Sequence, residues 1–276
     1  MIRLVSGVIL AAAALAAILF LPIVALRVLA VAVAGLAAHE YLRIAERSEE
    51  REAPYFAPSR MGAARSVLSQ TVGVALTVAL AAVIAWQLDV SVELLSFVAL
   101  VWVVFDVLAC GTHIQRSAAV IVAPIYTGAP LGMLAVVHVT HGWRATLMLI
   151  ATVIVSDSSQ YYVGRSFGRR PLAPSISPKK TVEGALGGLV VGTAFAVLAG
   201  TRLFPDATVA GLVLLGAAIV VLGICGDLFE SRLKRAAGMK DSSALIPGHG
   251  GILDRIDALL FATPVFYVYI RWQYTI

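Results

Sequence analysis

Long apolar runs divided by short polar segments set the pattern of this 276-residue chain. The runs lie near positions 4–21, 23–38, 67–86, 92–110, 118–137, 145–163, 184–203, 207–228 and 255–270. A helix needs about 20 residues to cross the hydrocarbon of a bilayer, so the pattern predicts about nine transmembrane helices, the second and last of them short. The first two form a tight hairpin around Leu21-Pro22. No polar stretch is long enough to build a core of its own. The expected fold class is therefore all-α, a polytopic membrane protein. Residues 1–20 have Arg3, an apolar stretch and small residues, as a signal peptide does, but the apolar pattern resumes directly after Pro22. They are read as a retained first helix.

Composition agrees: 60% of the residues are hydrophobic and 13% charged, with a mean hydropathy of +0.91, whereas a soluble domain carries about 25% charged residues. The net charge of +5 speaks to topology and anionic headgroups, and no nucleic-acid partner is expected. Cationic residues fall unevenly between the runs. With the N-terminus in the cytoplasm, Arg3, Arg43, Arg47, Arg51, Arg60, Arg65, Arg116, Arg165, Arg169, Arg170, Lys179, Lys180, Arg232, Lys234, Arg235, Lys240 and Arg255 all lie on the cytoplasmic side, 17 of the 21 Lys and Arg residues. Only Arg27, Arg144, Arg202 and Arg271 lie outside. That asymmetry favours a cytoplasmic N-terminus and puts segments 164–183 and 229–253 in the cytoplasm. Cys110 and Cys225 have neither zinc nor redox spacing and read as small packing residues. Segment 39–66 reads as a solvated, membrane-flanking helix followed by a flexible linker. Pro124 and Pro130 inside the fifth run predict a kink.

Asp106, Asp157, Asp227 and Glu230 stand within or at the ends of apolar runs, where charge is costly and usually faces a polar cavity. Asp106 is isolated. Asp157, Tyr161, Gly164 and Gly168 fall on one helical face. Beyond them Ser177-Pro178-Lys179-Lys180-Thr181 places two cations and two hydroxyls just before a new helix, a setting that suits an anion. Asp227, Ser231 and Lys234 share a second helical face. Asp254 and Asp257 are three apart and point one way if the last helix starts by Leu253. Clustered carboxylates repel unless a divalent cation joins them, and oxygen-only ligands favour Mg²⁺ or Mn²⁺. His249 is open to three readings: ligand, phosphate donor or turn residue. Pro247, Gly248, Gly250 and Gly251 give a backbone that can approach a ligand closely. Cations, flexible backbone and carboxylates beside a membrane suit a metal-bound polyphosphate.

The stretch S-x-L-K-R-x4-K-D-x-S-x2-I-P-x-H-G-G-I-x-D-R-I-D, Ser231 to Asp257, resembles the signature of the phosphatidate cytidylyltransferases. The block from Asp157 through Ser177-Pro178-Lys179-Lys180-Thr181 to Glu183-Gly184 is similar to the same family, with Gln160 where a small residue is expected. The resemblance is close over the C-terminal half. It implies one integral-membrane domain, 1–276, with less diagnostic helices in 1–144 and the catalytic helices and loops in 145–276. It implies transfer of CMP from CTP to phosphatidate, an inner or cytoplasmic membrane location, and dependence on Mg²⁺. It suggests Asp227 and Asp254 as holders of the metal, with Asp257 close by, and Lys240 and Asp241 beside them in catalysis. Substrate contacts are expected from Asp157, Tyr161, Ser177, Lys179, Lys180, Thr181, Ser231, Lys234, Arg235, His249, Gly250, Gly251 and Arg255, although Arg255 is equally suited to pairing with a carboxylate. The expected partners are CTP, phosphatidate and membrane lipids. A second cation and a homodimer both stay open. A transporter for an anionic solute would share the carboxylates at depth, but it explains a basic charge confined to one face poorly.

Overall fold

A computed structural model of the chain describes residues 2–52, 60–86, 116–246 and 248–274. The apolar run 92–110, with Asp106 and Cys110, and Pro247 lie outside the described residues. Helices α1 (Ile2–Phe20), α2 (Ile23–Glu52) and α3 (Arg60–Trp86) come first. Then α4 (Arg116–Ala123) runs through a π-helical turn, Pro124–Gly128, into α5 (Ala129–Phe167). A hairpin of β1 (Pro171–Ala173) and β2 (Ser177–Thr181) leads to α6 (Val182–Leu203), α7 (Val209–Ala236) and α8 (Leu253–Tyr274). The chain is an all-α multi-pass membrane protein. Among the described residues five helical stretches are long and apolar enough to cross a membrane: Ile23–Arg51, Val67–Trp86, Ala118–Phe167, Val182–Leu203 and Val209–Ala236. Large apolar side chains such as Val8, Phe20, Val24, Leu198 and Leu214 are exposed, as lipid-facing residues are, because hydrocarbon solvates them as well as a protein core does.

Two compact units are distinguished, Met1–Val136 with Arg232–Ile256 and Val137–Ser231 with Asp257–Ile276. In the first, α2 packs along α3 and both meet α4 and the π turn. Tyr41 and Tyr126 touch edge to face with ring centroids 5.4 Å apart. Of the two prolines expected to kink the fifth run, Pro124 opens the π turn, which closes with an Ala129 N–H bond to the Pro124 carbonyl, and Pro130 follows it in α5. The break falls later, at Gly142, whose φ of 76° takes the backbone out of the helix within α5. It lies between the fifth and sixth apolar runs, so the long stretch is two helices in sequence.

Expectation and structure part company in segment 39–66. Residues Glu40, Tyr41, Leu42, Ile44, Ala45 and Ser48 of α2 are buried, so this part of the helix is packed rather than solvated.

In the second unit, small residues carry the packing. Gly184, Gly188, Gly192, Ala196 and Gly200 recur every four positions and form the buried stripe of α6. A Cβ at Gly188 would sit 3.0 Å from the Ser156 carbonyl of α5, and one at Gly192 would sit 2.7 Å from a methyl of Val220 and 3.0 Å from Ser156 Cβ. Helices in lipid gain most of their association from such close approach. Gly192→Val should overpack this contact and cost about 1–3 kcal/mol. Its melting temperature in detergent should fall by several degrees, and an unchanged melt would mean that α6 does not pack through this stripe.

Candidate active site

The segment 164–183, expected to be a plain loop, holds the hairpin, in which Pro171 lies opposite Thr181 and Ala173 opposite Ser177. Its seat on α6 is fixed by polar contacts at a helix start. Thr181 caps α6, its Oγ1 accepting the Gly184 N–H at 3.1 Å. Glu183 accepts the backbone N–H groups of Arg169 at 3.0 Å and Arg170 at 3.2 Å. The Thr181 bond serves a donor that the start of α6 leaves unsatisfied, and Glu183 holds the two N–H groups that follow α5. Gly168 lies one residue past the end of α5, its N–H bonding to the Gly164 carbonyl at 3.0 Å. Gly164 and Gly184 make the close approach of α5 to α6: a Cβ on Gly184 would be 2.7 Å from the Gln160 carbonyl.

The result is a cavity of about 440 Å³. Asp157, Gln160, Tyr161, Gly164 and Arg165 of α5 line one part, Lys179, Lys180 and Thr181 of β2 another, with Gly184 and Ala185 of α6 and Asp227 of α7. Lys180 Nζ lies 2.5 Å from Asp227 Oδ2. Ser231 Oγ donates to Asp227 Oδ1 at 3.3 Å. Gln160 Nε2 donates to Asp157 Oδ1 at 3.0 Å and to Ser156 Oγ at 3.2 Å, so the glutamine found in place of a small residue orients the first carboxylate. Arg165 donates to the Tyr161 hydroxyl at 3.1 Å. Three cations and two carboxylates thus share one cavity, an arrangement that takes a polyphosphate near the cations and a hard cation near the carboxylates.

The second group of expected residues belongs to the other unit. There α7 ends where Gly238 turns left-handed at φ 67°. Gly238 N–H bonds to the Arg235 carbonyl and Met239 N–H to the Lys234 carbonyl at 2.7 Å, the paired closure that needs glycine at this position. Arg235 adds a bond to the Met239 carbonyl at 3.2 Å. Lys234 Nζ lies 2.5 Å from Asp254 Oδ1, while Asp254 Oδ2 accepts Gly251 N–H at 2.8 Å and Ser242 N–H at 2.8 Å, with Ser242 Oγ at 2.9 Å. Burial works to raise the pKa of this carboxyl. The Lys234 ammonium and the two N–H groups outweigh it and hold the group down at about 2. Gly248 and Gly250 have φ of 78° and 82°, and a Cβ on Gly250 would lie 2.5 Å from Asp254 Oδ2. The close approach that these glycines permit is to the protein's own carboxylate. Arg255 donates to the His249 carbonyl at 3.0 and 2.6 Å. His249 Nδ1 shares a 2.8 Å hydrogen bond with Ser6 Oγ. Lys240 and Asp241 are exposed.

Of the expected residues, Asp157, Tyr161, Lys179, Lys180, Thr181 and Asp227 meet in the cavity. Ser177 is half-buried on the same strand. Lys234, Gly251 and Asp254 meet in the second cluster, with Gly250 against Asp254. Asp257 caps its own turn, accepting Ala258 N–H at 2.8 Å. Contributors that escaped the sequence reading include Arg165 in the cavity, Ser242 in the second cluster, and Glu40, buried at 4% exposure. Glu40 had one visible signal. Apolar positions continue around it past the end of the second run, at Ala37, Ala38, Tyr41, Leu42 and Ile44.

Among the described residues no three His, Cys, Asp or Glu side chains gather as a cage for a metal ion. Magnesium does not need one, since one or two carboxylates with substrate phosphates suffice. Asp157 and Asp227 offer such an all-oxygen set in the cavity. Asp254 has both oxygens occupied by internal donors.

A family model described as "Cytidylyltransferase family" matches residues 1–273. The chain is similar to "Phosphatidate cytidylyltransferase" of Haemophilus influenzae, 45% identical over 46% of this chain and 45% of that protein. It is similar to "Uncharacterized protein YnbB" of Escherichia coli, 43% identical over 51% of this chain and 47% of that protein. With "Phosphatidate cytidylyltransferase" of Bacillus subtilis it shares 36% identity over 63% of this chain and 66% of that protein. The chain spans about half the length of the first two relatives.

The depressed Asp254 carboxyl has a consequence for acid stability. A carboxylate held at about 2 against an ordinary 3.8 stabilises the fold above about pH 4 and loses that contribution as pH falls toward 2. Wild type should therefore melt higher than Asp254→Asn between pH 5 and 7, and the gap should close as pH drops from about 4 to about 2. A gap constant across that acid range would mean that the Lys234–Asp254 cluster adds no stability.

Proposed function

The chain belongs to the cytidylyltransferase family, and from that premise we propose that it transfers the CMP moiety of CTP to phosphatidate, giving CDP-diacylglycerol and pyrophosphate. The observation that carries this reading is the cavity that brings Lys179, Lys180 and Arg165 together with Asp157 and Asp227 at the ends of membrane-crossing helices. The names of two of the similar proteins support it, as does the unbroken stretch from Ser231 to Asp257.

The chemistry asks little covalent help of the protein. A phosphatidate oxygen is already a nucleophile. It forms a bond to the α-phosphorus of CTP as the bond from that phosphorus to the bridging oxygen breaks, and the electron pair leaves with pyrophosphate. Positioning and charge neutralisation are what remain to be supplied. Lys179, Lys180 and Arg165 bind phosphate oxygens. Asp227, held beside Lys180, keeps that ammonium directed into the cavity. Tyr161, with its hydroxyl engaged by Arg165, stands at the exposed side of α5, where a lipid headgroup would arrive. Magnesium belongs to the same proposal: held by Asp227 with Asp157 beside it, it would neutralise charge on the leaving pyrophosphate. The sequence reading expects Asp254 and Asp257 to hold the ion as well; Asp254, whose oxygens Lys234 and loop donors occupy, would bind an ion only by exchanging Lys234 for it. The cation asymmetry supports a cytoplasmic position for segments 164–183 and 229–253, at the inner membrane and on the side that holds CTP.

Purified protein given labelled CTP and phosphatidate should place label in a lipid product, release pyrophosphate and require Mg²⁺. Retention of all label in CTP at any Mg²⁺ concentration would overturn the reading. Lys180→Ala should lower kcat/KM for CTP by one to two decades, since a charge-assisted contact contributes about 1.5–3 kcal/mol, and Arg43→Ala on exposed α2 surface should not. Asp227→Asn, which keeps size but removes charge, should abolish most synthesis across a Mg²⁺ titration while the protein still inserts and melts normally. For topology, Ser175→Cys and Leu245→Cys should resist an impermeant thiol reagent added outside sealed cells. Labelling of either would move the site to the wrong face for CTP.

A further inference from the structure

We propose that Glu40, on α2, is the positioning residue of the loop 242–253. Its carboxylate lies within hydrogen-bond distance of four donor groups of that loop, one of which, the Ser242 hydroxyl, it shares with Asp254. Ser242 Oγ lies 2.9 Å from Oε2 and Leu253 N–H 2.8 Å from the same oxygen. Ser243 Oγ lies 2.7 Å and Ile252 N–H 3.1 Å from Oε1. Ile252 and Leu253 are 212 and 213 positions away in the chain. Their N–H groups are at the start of α8, where a helix leaves its first donors unsatisfied and favours negative charge. Such groups are usually capped by a neighbour in sequence. Here the cap arrives from another helix, so the start of α8 is fixed relative to α2.

The arrangement reaches Asp254 through one side chain. Ser242 Oγ is 2.9 Å from Glu40 Oε2 and 2.9 Å from Asp254 Oδ2, and the Ser242 N–H donates to Asp254 as well. Asp254 in turn holds Lys234. Gly251 passes between: a Cβ there would collide with the Ser242 hydroxyl and the Glu40 carboxylate. The same loop is touched from α1 by Ser6 at His249. Glu40 has no side-chain atom in the cavity that takes the phosphates, so it acts on turnover only through the placement of Lys234 and Asp254. This step rests on the transferase reading above; the ordering of the loop does not.

The test uses full-length protein in lipid nanodiscs and two readouts, amide hydrogen exchange and CTP turnover. Glu40→Gln keeps the size and one acceptor oxygen, but its NH₂ group faces an N–H donor of the α8 start. Exchange in peptides covering 242–253 should quicken by about tenfold or more, while peptides from 182–203 exchange as in wild type. The value of kcat should fall by about tenfold or more, with KM for CTP moving by less than about threefold. Ser243→Ala, which removes one bond, should shift both in the same direction by a smaller factor, and it decides the matter if Glu40→Gln does not fold. Arg43→Ala, one turn along α2 and exposed, should change neither. Wild-type exchange in 242–253 for the folded variants overturns the clamp. So does equal quickening in 182–203, which would make Glu40 a general scaffold residue. A loss confined to KM overturns it too, because it would put Glu40 on the nucleotide. If wild type makes no lipid product, the transferase reading fails while the exchange arm still decides whether Glu40 orders the loop.

Discussion

Charge beside hydrocarbon has to be compensated, and among the described residues Asp227, Asp254 and Glu40 show three ways of doing so. Asp227 faces Lys180 across 2.5 Å. Asp254 faces Lys234 across the same distance and takes two backbone N–H groups besides. Glu40 is met by two hydroxyls, one of them shared with Asp254, and by the two N–H groups of a helix start. The cost of desolvating an ion is offset only when its remaining lone pairs are bonded. That requirement fixes the backbone around each group, which is why the hairpin and the loop before α8 have their particular turns.

The three solutions differ in what they leave available. Asp254 and Glu40 are saturated by internal donors and buried, so their present state is one of holding. Asp227 is about a third exposed and opens on a cavity that also contains exposed Lys179 and Arg165. An incoming phosphate can exchange partners with groups of the second kind at little cost, because the lysine that leaves the carboxylate finds an oxyanion. The cavity thus offers contacts that a ligand of the proposed kind can replace, whereas those of the loop are closed among themselves.

Much of the fold was legible because hydrocarbon imposes length and composition directly. The helices lie where the apolar runs do, except for the run outside the described residues, and the positions of Asp157, Lys180 and Asp227 follow from helix ends that those runs define. What was not legible is of two kinds. Backbone detail is one: Pro124 and Pro130 promised a kink, but a π turn stands at Pro124–Gly128, and the break waits for Gly142, where a positive φ is taken without a Cβ. Long-range pairing is the other. Periodicity and spacing see neighbours within a turn or two, whereas the bond from Ile252 to Glu40 spans 212 positions. A reading of 39–66 by charge alone counts Glu40 among surface acids, and only the apolar residues surrounding it argue otherwise.

That last point bears on how the relatedness of the chain is weighed. The stretch with the strongest resemblance, Ser231 to Asp257, is held in part by its own contacts, the Lys234–Asp254 pair and the Ser242 and Gly251 N–H groups on Asp254. Its glycines at 248 and 250 favour many conformations, and Gly251 adds no side chain to restrain the turn. Further restraint comes from Glu40 on α2 and Ser6 on α1, both outside that stretch. A motif can therefore be complete in sequence while its working geometry depends on residues far outside it. In a chain of this architecture, the polar side chains that interrupt a buried helical face opposite the motif are the first places to look for what the motif leaves unspecified.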